Sequence, residues 1–125
     1  MNLPEDLHYS KLHTWLRIDG KTAIVGITDF AQDQLGEIVY VDLPNAGYVF
    51  HQDEVFGSVE AVKTTSDLFI PVGGTILEIN AKLNTNPILV NTDPYGEGWL
   101  IKMLVADMNE IGHLLVPKLY NQFIL

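Results

Sequence analysis

Two runs of alternating residues meet across a short polar segment between Val55 and Val72, and this pattern constrains the fold more than any other feature. Before the segment, Val55, Gly57, Val59 and Ala61 alternate with Phe56, Ser58, Glu60 and Val62. After it, Leu68, Ile70 and Val72 alternate with Phe69 and Pro71. A period of two on both sides of a short polar turn specifies an antiparallel hairpin, because successive side chains in a strand point to opposite faces. The joining residues are read as Lys63-Thr64-Thr65-Ser66-Asp67.

The rest of the chain repeats this grammar. Residues 13–18 and 22–27 are strand-like and flank Asp19-Gly20, a hairpin signal because both positions tolerate positive φ. Residues 28–36 read as a two-turn helix, with Thr28 or Asp29 as its cap and Gly36 just past its end. Strands are expected over 37–43, 75–79 and 98–105, and 80–94 is loop-rich with one helical turn near 87–90. Asp107 caps a final helical stretch over 108–115, broken at Pro117 and resuming to Phe123. Gly36-Glu37-Ile38-Val39-Tyr40-Val41 echoes Gly74-Thr75-Ile76-Leu77-Glu78-Ile79, as in a sandwich built from two similar halves. The expectation is an all-β core with small helices, in one domain over residues 1–125.

Charge and composition remove several functions. Seven basic against sixteen acidic residues give a net charge of −9, so no basic stripe exists to displace the counterions of a nucleic acid or to bind anionic lipid. No apolar run is long enough for a spanning helix, and the first residues carry no leader pattern, so a cytoplasmic protein is expected, with no membrane and no nucleic-acid partner. The absence of cysteine excludes disulfides, thiolate metal sites and a cysteine nucleophile. His8, His13, His51 and His113 show no metal-ligand spacing. Asp29, Asp33 and Glu37 read as a solvated acidic face, and neither Ser58 nor Ser66 has a recognisable triad; no catalytic residue and no metal site is expected.

Lys63 is the residue with chemical potential. At a hairpin tip its amine points into water, and its four-carbon stem becomes the root of a swinging arm if something is joined to it. Ala61, Thr64, Thr65 and Ser66 leave room for a modifying enzyme, and Glu60 and Asp67 could orient that enzyme or the arm. Spacing alone leaves Lys63 as a solvated turn lysine.

Several motifs in order change that reading. Leu7-His8-Tyr9-Ser10-Lys11, His13-Thr14-Trp15-Leu16-Arg17, Gly26-Ile27-Thr28 with Ala31-Gln32 and Leu35-Gly36, Val41-Asp42-Leu43-Pro44 with Gly47, Val59-Glu60-Ala61-Val62-Lys63 with Ser66-Asp67, Pro71-Val72 with Gly74, and Asn91-Thr92-Asp93-Pro94-Tyr95 with Gly98-Trp99 together resemble the glycine cleavage system H-protein family, a lipoyl-carrier family. The resemblance runs from about Leu7 to the last helix. It implies a barrel-sandwich hybrid of two antiparallel sheets with short helices, one of them C-terminal. It implies a carrier rather than an enzyme, with lipoate joined by an amide to Lys63, which takes the net charge from −9 to −10. The arm would receive the aminomethyl group of glycine on the pyridoxal-phosphate-dependent glycine decarboxylase. It would deliver that group to the aminomethyltransferase, which passes it to tetrahydrofolate. Dihydrolipoamide dehydrogenase and a lipoate-attaching enzyme complete the implied partners, and a monomer is expected.

Three positions depart from the family. Thr14 stands where a glutamate would face the amine of a loaded arm, and it cannot supply a carboxylate, although Asp67 remains. Leu12 stands where a small polar residue is common, and Gly73 replaces a serine with turn-level consequences expected. Thr14 raises a second reading, an H-like lipoyl carrier serving another system such as lipoyl relay or a sulfur-oxidising assembly. Biotin carriage is disfavoured, since biotinyl lysines usually lie between methionines and here Val62 and Thr64 flank Lys63.

Overall fold

The computed structural model describes residues Met1–Leu125. In chain order the elements are β1 (His8–Tyr9), β2 (Thr14–Asp19), β3 (Thr22–Ile27), α1 (Asp29–Leu35), β4 (Ile38–Asp42), β5 (Val49–Phe50), β6 (Val55–Ala61), β7 (Thr65–Phe69), β8 (Gly74–Ile79), α2 (Leu89–Thr92), β9 (Ile101–Val105) and α3 (Pro117–Phe123). Short 3-10 turns span Ala81–Asn84 and Met108–His113. Six strands form one sheet in the order β1-β2-β3-β9-β8-β5, and three form a second in the order β4-β6-β7. Every strand pair is antiparallel.

The sheets bury their facing sides against each other. Leu16, Val25 and Ile27 from the large sheet meet Ile38, Val59, Ala61 and Leu68 from the small one, with Ile76, Ile101 and Met103 completing the layer. A second cluster of Leu7, Tyr9, Trp15, Tyr95 and Tyr120 covers the other side of β1 and β2. Trp15 and Leu16 are therefore both buried although they point to opposite faces. Gly26 lies opposite Trp15 in the ladder, and a Cβ there would stand 2.6 Å from the indole ring. The indole N–H donates to the Pro94 carbonyl at 3.1 Å, and Arg17 lies over its ring.

The recurring motifs turn out to be mostly structural. Thr28 caps α1 by accepting from the Ala31 N–H, and Gly36 ends it at φ 80°, where a side chain would be strained. Asn91 uses its whole amide: its oxygen accepts from the Ile38 N–H, and its NH₂ donates to Gln32 and to the Gly36 carbonyl. That side chain locks α2, α1 and the start of β4 together. Tyr95 donates to the Asn2 carbonyl and accepts from the Asp29 N–H, and burial pushes its hydroxyl up to about 12.

Several boundaries differ from the sequence reading. The first hairpin turns on Gly20-Lys21, since Asp19 pairs with Thr22; Gly20 alone takes positive φ, the pattern of a type II′ turn. Strand β7 begins at Thr65, so Ser66 and Asp67 belong to a strand and the turn shrinks to Val62-Lys63-Thr64. Phe56 is an extra residue in a bulge, which is why it, and not Val55, faces the core. Pro117 opens α3 and does not break a helix, because its missing N–H is harmless in the first turn. Glu37 lies beyond the end of α1, off the face that holds Asp29 and Asp33.

The two echoed segments share more than sequence. Strand β4 carries a register break between Ile38 and Tyr40, and β8 carries one between Ile76 and Glu78. The extra residues, Val39 and Leu77, occupy equivalent places in the echo and are 42% and 43% exposed. The same local distortion at the same place supports common geometry in the two segments, one in each sheet.

Candidate functional site

The β6–β7 hairpin is pinned close to its tip. Ala61 donates to the Thr64 carbonyl at 2.7 Å, and Val62 donates to the Glu37 carbonyl at 3.0 Å. Between these two bonds Lys63 is exposed and makes neither an ion pair nor a hydrogen bond. Glu60 and Asp67 lie on the outer, exposed face of the same hairpin, opposite Thr65 and Ser58 respectively. Glu60, Lys63 and Asp67 thus lie exposed on one hairpin.

A cleft of about 280 Å³ opens beside this hairpin. Leu12, His13 and Thr14 form one wall, Ile27 and the α1 residues Phe30, Ala31, Gln34 and Leu35 another, and Ser66, Asp67 and Leu68 of β7 the third. Lys63 stands three residues from Ser66, a separation of at most about 10 Å at ~3.3 Å per residue. Lys21 also occupies a hairpin tip, but it lies at the far end of β3 from Ile27, six steps or about 20 Å away. The cleft therefore distinguishes two lysines that hairpin geometry alone treats alike.

Thr14 lies in this cleft, and its hydroxyl is already committed. It donates to the Phe69 carbonyl at 3.1 Å, so its one proton is spent, and Ser10 must be the donor in the 2.8 Å Ser10–Thr14 contact. The residue is 1% exposed. Thr14 thus stitches β2 to the end of β7, and its hydroxyl has no proton left to donate to a ligand. Leu12, partly exposed, adds apolar surface where a polar residue was the family expectation.

His13 was set aside in the sequence as an ordinary histidine, yet it lines the cleft. Its φ of 69° places a non-glycine residue in the left-handed region, an arrangement that surrounding structure must hold. Its Nδ1 lies 2.7 Å from the Tyr120 hydroxyl, which lies 2.9 Å from the Thr28 hydroxyl. Proton accounting fixes the directions. Thr28 is fully buried and has only Tyr120 to take its proton, so it donates to Tyr120. Tyr120, also fully buried, then donates to His13 Nδ1, and the neutral ring carries its proton on Nε2. The opposite direction would strand the buried Thr28 proton at about 1–3 kcal/mol.

Two outcomes follow. Tyr120→Phe keeps the ring stacked on Tyr9 but strands both Thr28 and His13, and urea unfolding should show a loss of about 1–3 kcal/mol. Burial lowers the His13 pKa below its ordinary 6.5. The unfolded chain then binds a proton where the folded chain does not. The stability contributed by the neutral ring is complete above pH 6.5 and is lost as pH falls through the lower folded value. Urea titrations from about pH 8 to about pH 5 should show this decline, and His13→Asn should flatten it.

An antiparallel sandwich holding one free lysine at a hairpin tip beside a small cleft defines a carrier-type domain. The family model described as Glycine cleavage H-protein matches residues 7–125. The chain is similar to the "Glycine cleavage system H protein" of Pelodictyon phaeoclathratiforme (56% identity; 98% of this chain and 97% of the relative) and of Bacteroides thetaiotaomicron (54%; 97% and 96%). Its fold is similar to the crystal structure of a glycine cleavage system H protein from Mycobacterium marinum, with a TM-score of 0.89, 37% identity and coverage of 98% and 100%. The chain belongs to the glycine cleavage H-protein family.

Proposed function

We propose that this chain is the lipoylated carrier of a glycine cleavage system, acting as one domain over residues 1–125 and carrying the aminomethyl group of glycine between the pyridoxal-phosphate-dependent decarboxylase and the tetrahydrofolate-dependent aminomethyltransferase. The observation that carries the reading is Lys63: exposed, unpartnered, on a pinned three-residue turn, and next to a cleft. Bound there as an amide, lipoate supplies a redox-active disulfide that a chain without cysteine lacks.

The chain's own part is presentation. The Ala61 and Val62 hydrogen bonds hold the root of the arm still while the side chain swings, so each partner meets the attached group at high effective concentration. Glu60 and Asp67 present negative charge on the outer face of the hairpin for a lipoate-attaching enzyme to read. The net charge of −9 favours encounter with basic patches on larger partners. The cleft walls offer a water-poor shelter within reach of a lengthened side chain. Thr14 had motivated a role in another lipoyl-dependent system. The relatives, which share one name, do not favour that alternative, and the bonded Thr14 hydroxyl gives the substitution a structural purpose.

The test is carboxyl exchange. With glycine, labelled bicarbonate and a cognate decarboxylase, the lipoylated chain should support entry of label into glycine, and the unlipoylated chain should not. Absence of exchange alongside a competent control carrier would refute the reading.

A further inference from the structure

Helix α3 is held to the rest of the chain by little. Leu115, just before it, is fixed to Tyr9 by a backbone bond in each direction, at 2.8 and 2.7 Å. Val116 follows in extended conformation, exposed, with no side chain capping the helix. Within α3 only Tyr120 is fully buried, stacked on Tyr9 with ring centroids 4.9 Å apart, whereas Leu119 and Phe123 are exposed. The helix is thus a strap, hinged at Val116 and fastened by one tyrosine. The hydroxyl of that tyrosine sits in the chain of donors that runs from Thr28 to Tyr120 to His13 Nδ1.

We propose that Thr28, Tyr120 and His13 form a proton-operated catch, in which a second proton on the His13 ring, at Nδ1, unfastens α3 while the two sheets stay folded. The neutral ring accepts from Tyr120 at Nδ1; once that nitrogen carries a proton it only donates, and Tyr120 must accept. Three hydrogens, on Nδ1, Tyr120 and Thr28, then face two contacts, so one buried hydroxyl is left without an acceptor. Relief goes through α3, because the other two members are fixed by their backbones. The His13 N–H donates to the Ser10 carbonyl, the His13 carbonyl accepts from the Thr28 N–H, and Thr28 caps α1. Tyr120 alone sits on an element with a hinge. Around the ring, Phe30 of α1 and Tyr120 and Phe123 of α3 are uncharged, and Lys11 of its own turn lies over Phe123. Asp67 of β7 shares the cleft but is exposed, where water and salt screen it, and no carboxylate pairs with the ring. Burial in the closed catch holds the His13 pKa below its ordinary 6.5, and release returns it toward that value. By linkage the catch is closed above pH 6.5 and opens as pH falls through the lower value. The open state bares the Tyr9 ring and the His13 side of the cleft. The inference does not rest on lipoylation.

The experiment follows the full chain, ¹⁵N-labelled, from about pH 7.5 to about pH 5, by amide hydrogen exchange corrected for its intrinsic pH dependence and by the ring ¹⁵N signals of His13. The Tyr120 and Ile124 amides, bonded to the Val116 and Tyr120 carbonyls, report α3, and the Leu100 and Val105 amides, bonded to the Val25 and Lys21 carbonyls, report the large sheet. Protection in α3 should fall about tenfold relative to the sheet, in step with the titration of His13. The nuclear Overhauser contact between the Tyr9 and Tyr120 rings should weaken over the same range. His13→Asn, which suits the positive φ, should abolish the pH response of α3. Tyr120→Phe should loosen α3 already at about pH 7.5 and leave it insensitive to pH. His8→Asn, at the histidine of neighbouring β1, should leave the response intact. If a variant does not fold, the native chain still decides, through the His13 tautomer and the pH at which α3 loosens. A proton on Nδ1 at about pH 7.5, α3 protection that is constant or falls no more than that of the sheet, or a fall that does not track His13 would overturn the inference.

Discussion

A Lys63→Arg chain is expected to fold with the melting temperature of the native chain and to carry no lipoyl group at all. Arginine keeps the charge and most of the stem, but its guanidinium does not form the amide. Nothing in the fold depends on the amine, because Lys63 is exposed and has no bonded partner. The stability change should stay within about 0.5 kcal/mol, as for other surface substitutions free of special contacts. The functional change should be complete, since no second lysine combines a free hairpin tip with the cleft. Lys21 is distant, Lys82 is paired with Glu97, and Lys11 lies over Phe123. Parallel thermal melts and carboxyl-exchange assays would check both halves. A melting temperature well below the native value would assign Lys63 a structural role.

Gly74→Ala should do the opposite, destabilising the fold by about 3 kcal/mol or more. Gly74 opens β8 and pairs with Val105 on one side and Phe50 on the other. A Cβ there would overlap the Leu104 carbonyl oxygen and stand 2.8 Å from Met103 Cε. Met103 could swing aside, but the carbonyl belongs to the neighbouring strand, so relief requires parting β8 from β9. Gly36→Ala is the matched control. It has open space around it, and its cost is the strain of φ 80° with ψ −159°, about 1–3 kcal/mol. Urea unfolding of the two variants should rank them in that order, with a fall in melting temperature of about 10 °C or more for Gly74→Ala. A fall no greater than that of Gly36→Ala would show that the ladder yields easily.

These predictions draw on different layers of legibility. The Thr14–Ile27 hairpin, the Thr28 and Gly36 caps and the location of Lys63 were readable because local rules decide them: alternation, capping and turn chemistry all act within a few residues. The start of β7 was not. Thr65, Ser66 and Asp67 favour turns when read alone, and they become a strand only because Glu60, Val59 and Ser58 offer a ladder. Strands β1 and β5, two residues each, exist only through pairing with β2 and β8. In the cleft, Thr14 could be read as a missing carboxylate but not as a bond to Phe69, a residue 55 positions away. His13 carried no signal, because its role depends on Tyr120 of the last helix, 107 positions on. Longer-range pairing of this kind leaves no periodic trace.

The most direct test of the whole account is peptide mapping by mass spectrometry of the chain purified from lipoate-replete cells. The account predicts one acylated lysine, Lys63, bearing lipoate. Acylation at Lys118 or Lys82 in its place, or an unmodified Lys63 peptide throughout, would contradict it.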